Sequence, residues 1–140
     1  MANLLRESYD PAPQAVVRRY ALATRGDHLG TGPQLALTAF GNGEAEKIVA
    51  GLRAALPHCA RGYTGDGRGT TAVTVLDPID VGDEAVSFHT SGRGTPTWYT
   101  VVRQGQVLVR FASSTASGMD GQVPAPLVVQ QIMKLRAATD

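Results

Sequence analysis

Cysteine is almost absent from this 140-residue chain, with Cys59 standing alone. One thiol excludes an intramolecular disulfide and any multi-cysteine metal site, so the fold must hold through its core. Lysine is equally scarce: Lys47 and Lys134 are outnumbered by eleven arginines, a habit of GC-rich bacterial genomes that says nothing about mechanism. The formal net charge is only +1, too little for the broad cationic footprint that neutralises nucleic-acid phosphates or an anionic membrane. No apolar run approaches the roughly 20 residues needed to cross a bilayer, and the amino terminus lacks the basic-then-apolar pattern of a signal peptide. The chain therefore reads either as cytosolic or as the trimmed, mature part of an exported protein. His28, His58 and His89 are widely separated and have no cysteine cluster beside them, so no metal and no cofactor are expected.

What is present is a globular composition, 43% hydrophobic and 18% charged, on a length that suits one domain with one core. Residues 1–14, interrupted by Pro11 and Pro13, read as a flexible arm, and residues 15–140 as a single α+β domain. Ala15 to Thr24 fits a strand or a short helix. Gly26 to Pro33 reads as a glycine-rich loop, and Gln34 to Phe40 alternates like a strand. Glu44 to Leu56 carries Ile48, Leu52 and Ala55 at helical spacing, with Glu44 and Glu46 in the first turn and Pro57 as the stop. After a loop with glycines at 62, 65, 67 and 69, the β-branched run Thr70 to Leu76 predicts a strand. Asp77 to Asp83 turns the chain.

The last third is the most legible. Glu84 to Thr90, Thr97 to Arg103 and Gln106 to Ser113 form an antiparallel meander, with Ser91 to Pro96 as a flexible connection and Gln104-Gly105 as a tight hairpin. Pro124 or Pro126 then starts a helix whose face is Leu127, Val128, Gln131, Ile132 and Leu135. The sum is an antiparallel sheet of about five to six strands and two main helices.

Chemistry is sparse. Asp83 and Glu84 are adjacent, but neighbouring strand residues point to opposite faces, so their carboxylates are expected to diverge. His58 and Cys59 are consecutive and lack an orienting Asn or Asp, and Cys59 reads as a small hydrophobe past a helix end. The glycines at 62 to 69 lack the Gly-Lys-Ser/Thr ending and the following helix of a phosphate loop. Trp98 and Tyr99 put one aromatic on each sheet face. Arg103 and Arg110 flank the tight turn on adjacent strands, where they would meet an anionic ligand if they shared an open face with His89.

Leu56 to Cys59 at a helix end, Val81 to Val86, Val101 to Val109 and Gln130 to Leu135 occur in an order that resembles the PknH-like extracellular sensor domains of actinobacterial Ser/Thr kinases and their stand-alone secreted lipoprotein relatives. The resemblance spans roughly residues 15–138 and implies a twisted antiparallel sheet with helices packed mainly on one face, leaving a cleft for an extracellular ligand. The kinase sensors use disulfides, and the lone Cys59 departs from them in favour of the lipoprotein branch, whose lipid-bearing cysteine would lie upstream.

The resulting expectation is a non-catalytic, sensor-like domain, extracellular and either membrane-anchored or secreted. Its partner would be a small extracellular ligand or a protein, with membrane contact only through an upstream lipid anchor and none with nucleic acid. The expected ligand-binding residues are Phe88 and Trp98 as apolar contacts and Arg103 and Arg110 as polar anchors. The alternative is a cytosolic small-molecule enzyme or accessory factor of a biosynthetic pathway.

Overall fold

Alternating side chains and β-branched residues build one antiparallel sheet, and the two helical periodicities each find a face of it. In the computed structural model the described residues are 9–10, 12–25, 28–64, 70–92, 95–114 and 121–139. The strands are β1 (Ala15–Arg25), β2 (His28–Ala39), β3 (Tyr63–Thr64), β4 (Thr70–Leu76), β5 (Glu84–Gly92), β6 (Thr97–Gln104) and β7 (Val107–Ser114). They form a single sheet in the order β1-β2-β7-β6-β5-β4-β3, with every pairing antiparallel. Since β3 has only two residues, the sheet is six full strands with a short seventh at one edge. The α+β class and the meander over the last third are as expected.

Among the described residues two α-helices complete the fold, α1 (Glu44–Ala55) and α2 (Ala125–Thr139). Gly43 enters α1 in the left-handed conformation at φ 75°, and Glu44 and Glu46 occupy the dipole-favoured first turn. Pro57 does not break the chain at once. It sits early in a 3-10 turn, Leu56–Cys59, where its missing N–H costs little. At α2, the Pro124 carbonyl accepts from the amides of Leu127 and Val128, and Arg136 Nε donates to Gln104 Oε1 at 2.7 Å, tying the far end to the β6–β7 turn.

The helices lie on opposite faces of the sheet. Ala45, Val49 and Leu52 of α1 pack with Val86, Phe88, Val101 and Leu108, whereas Val128 and Ile132 of α2 pack with Val102, Val109 and Phe111. Neighbouring strand residues point apart, so Val101 and Val102 can only serve different faces. The expectation of both helices on one face is corrected accordingly: α1 and α2 each need an apolar surface, and the central strands are apolar on both sides.

Three further expectations change. Gly26 to Pro33 was expected to be a loop, yet strand β2 already begins at His28. Pro33 is accommodated because Tyr20 pairs with Gln34 and Leu22 with Thr31, which leaves Gly32 and Pro33 opposite Ala21 alone in a bulge that does not need the missing N–H. The pairing of β2 with β7 covers only Gln34 to Ala39, so the outer part of the β1–β2 hairpin runs past β7. The ordered core also begins ahead of residue 15. Tyr9 meets Phe40 edge-to-face with ring centroids 5.1 Å apart, and the Gln14 amide donates to the Ala39 carbonyl. Finally, Ser91 and Gly92 extend β5 into the expected connection. Residues 1–8, and residues 65–69 within the expected glycine-rich loop, lie outside the described residues.

Candidate functional site

Strand register sorts the candidate residues onto two faces. On the α1 face, Phe88 is fully buried and stacks on Tyr99 with ring centroids 5.0 Å apart. It is a core residue and cannot serve as the expected ligand contact. Trp98 projects to the α2 face, where it stacks on its cross-strand partner His89 at 4.5 Å. Trp98 and Tyr99 thus take opposite faces as their alternation requires, and Phe88 and Trp98 cannot line one cleft.

Arg103 and Arg110 both belong to the α1 face and not to the face of His89. Arg103 is held by acids: its Nε donates to Glu84 Oε1 at 2.8 Å and its Nη1 to Asp83 Oδ2 at 3.1 Å. Asp83 and Glu84 therefore converge on one guanidinium instead of diverging. Strand alternation does not govern Asp83, because it precedes β5 in a turn entered through Gly82 at φ 75°. Glu84 also accepts from Arg53 of α1 at 3.2 Å, which makes the cluster a clamp between helix and sheet. Arg110 lies beside Tyr99, and its Nε is buried. Burial pushes the Tyr99 phenol up, while the Arg110 charge and a hydrogen bond with Thr97 pull it down.

Beside the Trp98–His89 stack, the α2 face carries the buried hydroxyls of Ser87, Thr100 and Ser113. Ser87 and Thr100 bond each other at 3.2 Å, and Ser113 donates to the Gly121 carbonyl. His89 Nε2 is buried and makes no hydrogen bond.

A depression with mixed polar and apolar lining lies elsewhere on the α2 face, between α2 and the β1–β2 hairpin. Its floor is Leu35 and Phe111, paired across β2 and β7, and its wall is Leu127 and Gln131 of α2. Arg19, Pro33 and Gln34 of the hairpin complete a cleft of about 230 Å³. Arg19 pairs with Leu35 across β1 and β2, and its Nη1 donates to the Arg18 carbonyl at 3.1 Å. No ion pair forms on Arg19 among the described residues. None of the four sequence-predicted contacts lines this cleft. Gln131 gave the one available signal, a polar residue inside the apolar face of α2. Arg19 gave none, because only the pairing of β1 with β2 brings it over Leu35.

A second depression of about 260 Å³, near Pro57, Val75 and Pro78, has Arg53 as its charged group, and Arg53 is already engaged with Glu84. The outer side of α2, around Met133, is open surface rather than a cleft. Among the described residues no three His, Cys, Asp or Glu side chains gather to hold a metal ion, and no helix is long and apolar enough to cross a membrane. None of the protein-family models, curated proteins or solved structures compared with the chain matches it.

Proposed function

We propose that this chain is a non-catalytic, sensor-like ligand-binding domain that takes a small molecule in the cleft between α2 and the β1–β2 hairpin. The observation that carries the reading is Arg19, a cation without an acidic partner among the described residues, set over the apolar floor of Leu35, Phe111 and Leu127. Apolar walls with a few convergent polar groups are the usual make-up of a small-molecule site. Arg103 supports the same choice of site from the other side, because Asp83 and Glu84 already occupy its guanidinium.

The resemblance to actinobacterial sensor domains and their lipoprotein relatives supports an extracytoplasmic setting. In that setting the domain would be secreted or held by a lipid anchor upstream, and its partner would be a small extracellular ligand or a protein.

Both halves of the proposal are tested by expressing the complete coding region in an actinobacterial host and recording native mass spectra of the purified product. A co-purifying small molecule, together with a diacylglyceryl cysteine or a processed leader, is the expected result. An unmodified, ligand-free cytosolic species would overturn it.

A further inference from the structure

We infer that the ligand of this cleft is a small monocarboxylate with an apolar body, an inference that rests on the cleft being the binding site. Among the described residues the lining contains one cation, Arg19, the amide side chain of Gln131, and no acid. A cationic ligand would meet Arg19 unfavourably, and a wholly apolar one would strip water from the guanidinium without replacing its hydrogen bonds. A carboxylate satisfies it, because the planar guanidinium offers parallel N–H donors that match two carboxylate oxygens.

Part of that geometry is already set. The bond from Arg19 Nη1 to the Arg18 carbonyl spends one of the five N–H donors and restrains the head, leaving the rest for a ligand. The position across from Leu35 puts the base of Arg19 next to the apolar floor, so one molecule can reach both. Gln131, one helical turn from Leu127, adds an amide that can donate to or accept from the same ligand.

Size narrows the class. A cleft of about 230 Å³ holds roughly eight water volumes at about 30 Å³ each, so the ligand has on the order of ten non-hydrogen atoms. Such a volume is too small to enclose a nucleotide or an oligosaccharide. The lining also has too few polar groups for a free sugar, whose hydroxyls would each need a partner. What remains is an arylacetic or medium-chain aliphatic acid, its carboxylate on Arg19 and its body on Leu35, Phe111 and Leu127.

The test is a titration of the isotope-labelled chain, followed by amide chemical shifts, with phenylacetate and hexanoate and with their neutral counterparts phenylacetamide and hexanamide. The acids are expected to shift Leu35, Phe111, Leu127 and Gln131 and to bind about tenfold more tightly than the amides. In the Arg19→Gln variant that difference should vanish. Arg19 is exposed on an edge strand, so the variant should fold, and an unchanged amide spectrum away from the cleft verifies it. If acids and amides bind equally well at these residues, the cleft reading stands and the carboxylate inference falls. If none of the four compounds shifts these residues at millimolar concentration, the cleft reading falls and takes the inference with it.

Discussion

Val101 and Val102 are adjacent on β6 and both fully buried, yet Val101 packs in the cluster under α1 and Val102 in the cluster under α2. One peptide unit thus joins two cores on opposite faces of a sheet. Each valine should cost about 2 kcal/mol when cut to alanine, from lost transfer energy plus the cavity left behind. Because the two side chains share no packing cluster, the double variant should be additive to within about 0.5 kcal/mol. Urea unfolding of the four proteins checks this, and a large coupling energy would show that the two cores communicate.

Glycine is required at Gly82 and merely preferred at Gly105. Both have positive φ, 75° and 59°, but a Cβ on Gly82 would lie 2.5 Å from Val102 Cγ1 and 2.6 Å from the Arg103 carbonyl oxygen, while one on Gly105 would meet nothing within 4 Å. Gly105→Ala should therefore cost only the left-handed penalty of about 1 kcal/mol. Gly82→Ala should cost on the order of 3 kcal/mol, since backbone and a buried valine must both move. Thermal unfolding of the two variants separates them.

The carboxylates around Arg103 make one prediction for stability and a separate one for binding. Arg103→Met removes the shared partner of Asp83 and Glu84, and with these side chains only partly exposed the loss should be on the order of 1–2 kcal/mol. Binding of phenylacetate in the cleft on the other face should be unchanged. A loss of affinity without a loss of stability would return Arg103 to the role of ligand anchor.

Tyr99 makes stability depend on alkaline pH. Its phenol is raised from the ordinary value of 10.0 by burial, so the folded protein holds this proton more tightly than the unfolded chain. The contribution is complete below about pH 10 and is lost as pH rises through the folded value. Tyr99→Phe keeps a ring against Phe88 and removes the titration. Comparing urea unfolding at about pH 8 and about pH 11, the variant should lose less stability than the parent over that interval.

His89 offers a buried Nε2 with no partner beside the single tryptophan. His89→Phe preserves a ring for Trp98 to stack on and removes a polar atom whose burial without a hydrogen bond is costly. Stability should hold or rise by up to about 1 kcal/mol. A clear loss, read from Trp98 fluorescence during unfolding, would mean that Nε2 is satisfied in solution.

Period-two alternation was enough to place β4 to β7, because each of those strands carries its own β-branched pattern and ends in a turn. The spacing of Leu127, Val128, Ile132 and Leu135 likewise made α2 legible, since a helix must bury one stripe. The hairpin register hid the first part of β2, from His28 to Pro33. Pro33 looks like a strand breaker by itself and becomes tolerable only when the bulge opposite Ala21 is known.

By itself the sequence determined the composition limits, the strand and helix periodicities and the absence of any cysteine framework. These are local properties, written in residue types and their spacing. Only the tertiary structure decided which face each helix covers, that Asp83 and Glu84 meet on Arg103, that Phe88 disappears into the core, and that Arg19 comes to rest over Leu35 near Phe111 and Leu127. Those are pairings between segments up to about a hundred residues apart, and spacing along a chain carries no record of which distant strand will lie beside it. The physical reason is that a strand's alternation names two faces without saying what will cover either one.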